Sequence, residues 1–343
     1  MLSFSVVVPV RNAARTLPDC LSALARLDPA PTEALLVDNG STDRSLELLH
    51  AFARNWRTGD VQVLTEPRRG PAAARNAGVR SAKGDVIAFT DADCVPEVAW
   101  LHYLAEPFKD PSVGAVAGRV VAAPASSTLE LFSALYTLKL PDKPARQQQW
   151  TPWEGGYPTA NLAIRRRLLE DVGAFDERLR IGEDYDLCAR LYNRGAEIAY
   201  VPAARVAHHH RTTLLGMLRQ SFDFGRAHPC LLRRHAANGL WIDLPGRSFL
   251  FRRWPGRTWV DLASADKKVL AILALTAAYG PAFLLLPPYA VWLAASAGTR
   301  ARTAGRPVSV AAASGLAALL VLKSAAMTAG RWWGSVRYGA VCL

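Results

Sequence analysis

IAFTDADCVP, residues 87–96, begins as an apolar strand and ends with two aspartates, Asp91 and Asp93, set around a single alanine. Residues two apart in an extended segment face the same side, and unpaired charge beside a core strand is costly. A divalent cation answers both problems. Carboxylate oxygens suit Mg2+ or Mn2+, and a metal held there offsets the negative charge that builds on a departing diphosphate. Two aspartates in a turn are common, so the weight of the pair depends on the strand that it follows.

Outward from this stretch the chain alternates. FSVVVPV, EALLVDN, DVQVLTE, DVIAFTD and VGAVAGRVV are short β-rich runs within the first 125 residues, separated by helical stretches such as TLPDCLSALARL and TDRSLELLHAFARN. The alternation predicts an α/β fold, a mostly parallel sheet with helices on both faces. In such sheets ligands gather beyond the carboxyl ends of the strands. The polar residues follow that rule: Asn12 after the first strand, Asp38-Asn39-Gly40 after the second, Asp91 and Asp93 after the fourth.

Composition narrows the class. Half of the 343 residues are apolar, which argues against disorder, and the length holds one large core or two domains. The five cysteines, at 20, 94, 188, 230 and 342, form no close pair and imply a reducing compartment without a disulfide framework. MLSFSVVVPVRN lacks a basic start and reads as a first core strand, not a secretory signal. The formal charge of +12 suits anionic lipid, nucleotide phosphates or RNA, and alone selects none of them.

Each polar cluster has a use. Asp38, where a strand gives way to NGSTD, either accepts N–H or O–H groups of a bound base or ribose or organises its own turn. RRGPAAARNAG places Arg68, Arg69 and Arg75 near a helix start, as a basic face or as donors to ribose or diphosphate. In GEDYDLCARL, Glu183 and Asp184 precede an apolar-periodic run; they cap that helix, or Asp184 points into a cleft. Asp186 serves an acceptor or pairs with Arg190. In the extended AEIAYVPAARVAHHH, His208 and His210 share a face while His209 points away.

In order along the chain, VVVPVRN, LLVDNGSTDRS, GPAAARNAG, IAFTDADCVP, ANLAIRRRLLEDVGAFDERLRIGEDYDLCARL and VPAARVAHHH resemble the family 2 glycosyltransferases, inverting enzymes of the GT-A fold that use nucleotide-activated sugars. The agreement covers about residues 3–210; each motif alone is modest, and their order and spacing make it specific. The resemblance implies a donor nucleotide sugar against Pro9, Val10, Asn12, Asp38, Arg75 and Asp91, with Asp38 recognising the base and Asp91 near the ribose. It puts Asp93 on a Mn2+ or Mg2+ ion, with His208 completing the metal shell and His210 as the fallback. It makes Asp184 the base that takes the acceptor hydroxyl's proton, and attack opposite the leaving group inverts the anomeric configuration.

Acceptor recognition falls to the region 125–160, with Trp153, Gly155 and Gly156, and to Glu183: aromatic faces stack on sugars and glycines permit close backbone approach. RQQQW, residues 146–150, has the look of the glutamine-arginine-tryptophan signature of processive synthases but precedes the Glu-Asp pair, which favours transfer of one sugar per encounter.

The last hundred residues leave the soluble pattern. Residues 269–298 carry no charge, long enough to cross a bilayer, and 308–330 form a second apolar run with Lys323 as its only charge. The expected organisation is a catalytic domain over 1–235, of which 1–125 binds nucleotide and 126–235 acceptor. A basic juxtamembrane linker over 236–268, membrane-spanning helices over 269–330 and a short tail over 331–343 follow. Basic residues just before the first apolar run place the catalytic domain on the cytoplasmic side of the inner membrane. Pro287-Pro288 offers a break that would turn that run into a hairpin. The segment SFDFGRAHPCLLRRH is expected at the membrane interface.

The expected partners are a nucleotide-diphosphate sugar, preferably uridine-linked, a lipid-linked or envelope glycan acceptor, and membrane lipids. Basic residues near the apolar spans have a membrane use, so no nucleic acid is expected. Three rivals fit less well. A sugar nucleotidyltransferase needs an early glycine-rich activating loop, and a dinucleotide oxidoreductase needs GxGxxG where this chain has PVRNAAR. A membrane scaffold or sugar-binding protein has no physical need for a metal pair together with a base.

Overall fold

A computed structural model describes residues 2–125, 127–137, 142–152, 154–210 and 212–343. The chain forms two compact units, one of Met1–Ala123 with Leu138–His209 and one of Pro124–Thr137 with His210–Leu343.

In the first unit β1 (Phe4–Val10), α1 (Leu17–Leu24), β2 (Glu33–Asp38), α2 (Ser45–Asn55), β3 (Asp60–Thr65), α3 (Pro71–Ser81) and β4 (Val86–Phe89) alternate as the sequence predicts. They are followed by β5 (Cys94–Pro96), α4 (Trp100–Ala105) and β6 (Val113–Ala122). After α5 (Thr128–Tyr136), which belongs to the second unit, come β7 (Ala145–Gln147), β8 (Leu162–Arg165), α6 (Arg166–Val172), α7 (Glu183–Asn193) and β9 (Glu197–His208). The nine-stranded sheet is ordered β3-β2-β1-β4-β8-β6-β9-β5, with β7 also on β9. Strands β3, β2, β1, β4, β6 and β9 run one way and β8, β5 and β7 the other, so the sheet is mostly parallel.

Strand β1 shows why the sheet sits in the middle. Val6, Val8 and Val10 pack with Leu17, Leu21, Leu24, Leu49 and Trp100, while Val7 faces Leu35, Ile87, Phe89 and Leu187. A near-continuous valine run is what a strand covered on both faces requires. Register then brings functional ends together: Val10 lies level with Asp38, and Val7 with Phe89.

Strands β6 and β9 separate after Gly118, where pairing jumps from Gly118↔Val201 to Arg119↔Arg205. The fully buried Asn161 fills the gap. Its amide donates to the carbonyls of Arg119 at 3.0 Å and Ala204 at 2.9 Å, and its oxygen accepts the Trp100 indole N–H at 2.8 Å. Gly118 is needed here because a Cβ would strike the Ala204 carbonyl and the Asn161 amide. Beyond this irregularity β9 runs on to pair with β5, the kind of re-aiming that bulges give a strand near a site. Asn161→Ala leaves three buried polar partners unpaired and is expected to cost about 2–3 kcal/mol. Urea unfolding measures it; an unchanged midpoint would show the gap to be tolerant.

The second unit holds α5, then α8 (Leu214–His235), β10 (Gly239–Leu244), β11 (Arg247–Phe251), β12 (Arg257–Asp261), α9 (Ala265–Ala278), α10 (Leu286–Thr303), α11 (Val310–Tyr338) and β13 (Val341–Cys342). Helices α8 and α11 approach closely through glycines: a Cβ at Gly225 would meet the Met327 carbonyl, and one at Gly330 the Phe222 carbonyl. Small residues at both positions let the two backbones touch. This packing places residues 214–235 with the apolar helices, so the division of the chain falls after His209 instead of after 235.

Two further expectations change. Residues 236–268, read as a linker, supply β10, β11 and β12 of a sheet of order β11-β10-β12-β13, because the basic stretch hides two buried tryptophans, Trp241 and Trp259, level with each other on β10 and β12, and a Pro245-Gly246 turn with Gly246 at φ +76°. The uncharged run 269–298 is not one helix. It breaks after α9, where Tyr279 is extended (φ −142°, ψ 95°) and Gly280-Pro281 open a short 3-10 turn. Pro287 and Pro288 break nothing, since they occupy the start of α10, where a missing N–H has no partner to lose. Among the described residues, two segments are long and apolar enough to cross a membrane, Gly280–Thr303 and Val310–Tyr338, both largely exposed.

Candidate active site

The loops after β1 and β2 are stitched together. Asn12, with φ +49°, accepts from the Thr42 N–H at 2.8 Å, and its own N–H donates to Ser41 Oγ at 3.1 Å. Pro9 and Val10 stay in the sheet, paired with Val37 and Asp38, and Val10 is fully buried. The Asp38 carboxylate accepts from the N–H groups of Gly40 at 3.1 Å and Ser41 at 3.3 Å, so it organises its turn. Lone pairs remain on both oxygens for a further donor. Asn39, named with Asp38 beyond the second strand, had no role assigned from the sequence. Its side chain holds the carbonyls of Glu66 and Arg68 and the N–H of Gly70, and so fixes the loop that starts α3.

Arg75 is the centre of the second group. It projects from α3, is 4% exposed, and forks between Asp91 Oδ1 and Glu183 Oε1, each at 2.8 Å. Its Nε has no partner among the described residues. The arginine expected near ribose or diphosphate and the glutamate expected at the acceptor thus hold each other, and Asp91 joins them. Arg68 faces outward instead: it binds Glu66 and Glu177 and, with the Arg68 hydrogen bond as first cause, holds the Glu66 carboxyl down at about 2.

Gly182, at φ +80°, turns the chain into α7 so that Glu183 and Asp184 lie in its first turn. Burial, and next the neighbouring Glu183 carboxylate, push the Asp184 carboxyl up to about 7; Arg75 opposes the rise. A carboxylate poised near neutrality can accept a proton at physiological pH. Asp186 pairs with Arg190 at 2.9 Å, and Arg190 also holds the carbonyls of Val172 and Ala174, a structural tie.

The third group comes from register. β5 runs antiparallel to β9 with Cys94 opposite His208, and the His209 N–H donates to the Asp93 carbonyl at 2.8 Å. Asp93 Oδ1 and His208 Nε2 are therefore 3.5 Å apart. His209 points elsewhere, to Asp19 at 3.2 Å, as alternation requires, and His210 is buried. One oxygen and one imidazole nitrogen at this spacing fit a hexacoordinate cation, whose adjacent ligands at about 2.1 Å lie roughly 3 Å apart. Cys94 Sγ lies in the same group, and burial holds the thiol well above its ordinary pKa.

Gly155, at φ +94°, lies where a Cβ would meet the Gln149 carbonyl at 2.7 Å, and at Gly156 a Cβ would strike the ring of Tyr185. Tyr185, next to Asp184 and 38% exposed, was not singled out in the sequence; the aromatic between two acidic residues was its signal. Trp153 lies outside the described residues.

The family model for glycosyl transferase family 2 matches residues 5–173. The chain is 36% identical over 236 residues to the pre-mycofactocin glycosyltransferase of Mycobacterium tuberculosis, covering 67% of this chain and 47% of that one. It is 28% identical over 250 residues to the glycosyltransferase AglE of Haloferax volcanii, covering 69% and 79%. The chain thus spans about half the length of the mycobacterial relative. Its fold matches that of a mannosyltransferase from Pyrobaculum calidifontis, solved in complex with GDP-Man and Mn2+, at TM-score 0.61 and 21% identity over 97% of this chain and 87% of that one. With the family's motifs gathered at the carboxyl ends of a mostly parallel sheet, residues 5–173 of the chain form a glycosyl transferase family 2 domain.

Proposed function

We propose that the protein is an inverting glycosyltransferase of the inner membrane, its catalytic unit on the cytoplasmic side, that moves one sugar from a nucleotide-diphosphate sugar to a hydroxyl or phosphate of a lipid-linked or envelope glycan. One observation carries the reading: Asp93 with His208 forms a metal-type pair, while Asp184, pushed up to about 7, stands as a separate proton acceptor. A scaffold needs neither.

In this mechanism Asp38 and the Asn12 loop receive the base and ribose, with Asp91 held toward the ribose by Arg75. Asp93 and His208 would hold Mn2+ or Mg2+, which when bound would neutralise charge on the departing diphosphate. Asp184 takes the acceptor proton as that oxygen bonds to the anomeric carbon and the bond to the diphosphate breaks on the opposite face. Glu183 positions Asp184 through Arg75, and Gly155 and Gly156 with Tyr185 offer the acceptor a flat, close surface. A uridine donor is our assignment for Asp38; guanine also presents N–H donors, and the Pyrobaculum neighbour was solved with GDP-Man. The acceptor's lipid character rests on the two apolar helices.

The test is transfer by the purified, detergent-solubilised protein from a panel of uridine, guanosine and thymidine sugar donors to a membrane-lipid extract, with Mn2+ or Mg2+. Turnover with a uridine donor is expected. Asp93→Ala is expected to weaken Mn2+ binding, measured by electron paramagnetic resonance, by at least about tenfold and to abolish transfer. Mn2+ binding unchanged by Asp93→Ala would remove the metal assignment; folded protein inert with every donor would favour the scaffold.

A further inference from the structure

We propose that the β10–β11 hairpin and Trp254 form an interfacial anchor that inserts into a bilayer surface rich in anionic lipid. The proposal rests on the membrane placement of α11 proposed above.

Every residue from Pro245 to Pro255 is exposed. Four of them are large and apolar: Phe249 at 41%, Leu250 at 39%, Phe251 at 54% and Trp254 at 43%. Strand β11 is the free edge of its sheet, and Phe249 and Phe251 lie on one face of it with Leu250 on the other. An exposed apolar edge strand in water invites pairing with other chains, so something must cover it or surround it.

Charge identifies the covering. Between Leu244 and Val260 the sequence holds Arg247, Arg252, Arg253 and Arg257 and no aspartate or glutamate. Aromatic side chains interleaved with arginines match the interface of an anionic leaflet, where rings sit at headgroup depth and each basic side chain adds attraction.

Connectivity supplies the position. Helix α11 runs to Tyr338, Gly339 turns the chain at φ +67°, and β13 pairs at once with β12, Thr258 against Val341 and Trp259 against Cys342. The small sheet is thereby fastened to the carboxyl end of α11. That end carries exposed Trp332 and Trp333, the aromatic belt expected where a spanning helix leaves the hydrocarbon. Arg331 reinforces the fastening by binding Asp261 at the end of β12 at 2.8 Å and stacking on Trp259 at 4.4 Å. A sheet held at a helix end that lies at the interface places its exposed hairpin there as well.

The experiment is nitroxide labelling of Leu250→Cys in the full chain, reconstituted in phosphatidylcholine vesicles with and without phosphatidylglycerol. All five native cysteines are buried, so the label reports one site. Its collision with oxygen against a water-soluble nickel complex reads depth, and a second chain labelled at Leu322→Cys, in the middle of α11, reads whether that helix is in lipid. The expected result is an oxygen-to-nickel ratio at Leu250→Cys several-fold higher with phosphatidylglycerol, lost in the Arg252→Gln/Arg253→Gln variant. A water-exposed label at Leu250→Cys with Leu322→Cys in lipid overturns the anchor and leaves the membrane placement standing. Both labels in water overturn both. Insertion indifferent to phosphatidylglycerol overturns the anionic preference, and spin–spin broadening between copies would show that β11 pairs with a second chain instead.

Discussion

Asp184→Asn should abolish sugar transfer, by a factor of about 10^2–10^4 in kcat/KM, while leaving the fold intact or firmer. The direction follows from what holds this carboxyl. Burial and the adjacent Glu183 push it up to about 7, with Arg75 pulling the other way. A folded-state pKa above the unfolded value near 3.8 means that the native protein holds this proton more tightly. Ionisation therefore weakens the fold as pH rises through the folded pKa, and the weakening is relieved as pH falls. An asparagine cannot ionise, so at pH 8 the variant should melt no lower than the parent, and at pH 5 the difference should shrink. For transfer the sign is reversed. The base must be ionised, so kcat/KM should rise about tenfold per pH unit below 7 and level off above it. Initial rates across pH 5–9, with melting curves on the same samples, measure both. Full activity in Asp184→Asn, or a flat acid limb in the parent, would move the proton acceptor elsewhere.

The same residues show what a sequence makes legible. The runs FSVVVPV, EALLVDN and DVIAFTD declared β1, β2 and β4 because a sheet covered on both faces needs unbroken apolar strands, and Asp38 and Asp91 stand at the carboxyl ends of two of them, the edge where such sheets gather ligands. The Asp93–His208 pair was accessible by resemblance, but its cause is tertiary: an antiparallel register between strands more than a hundred residues apart. The partners of Arg75 were invisible for the same reason, since they stand 16 and 108 positions away in the chain. In the second unit composition misled. An uncharged run does not disclose that Gly280-Pro281 interrupts it while Pro287-Pro288 do not, and basic residues on a free strand look like a linker until their neighbours Trp241 and Trp259 are seen to face inward.

Arg75→Met should be the most damaging single change to stability in the catalytic unit, at about 3–5 kcal/mol. The loss is not the strength of two ion pairs. It is the cost of leaving the Glu183 carboxylate, 9% exposed at its side chain, and the Asp91 carboxylate, 28% exposed, without a countercharge. Arg75→Lys should recover little, because an ammonium offers one compact charge where two carboxylates need a planar fork. Replacing the stranded acids should recover more: Arg75→Met with Glu183→Gln is expected to be more stable than Arg75→Met alone, a non-additivity that only shared charge explains. A second readout separates this from ordinary packing loss. Arg75 is the positive charge that holds Asp184 down, so its removal should shift the acid limb of the pH–rate profile upward from about 7 and leave residual activity that grows with alkalinity. Urea unfolding of the three variants and the pH dependence of any remaining transfer test the two halves together. An Arg75→Met protein as stable as the parent, with its acid limb unmoved, would show that Asp91, Glu183 and Asp184 act independently and that the link from α3 to α7 carries neither stability nor base tuning.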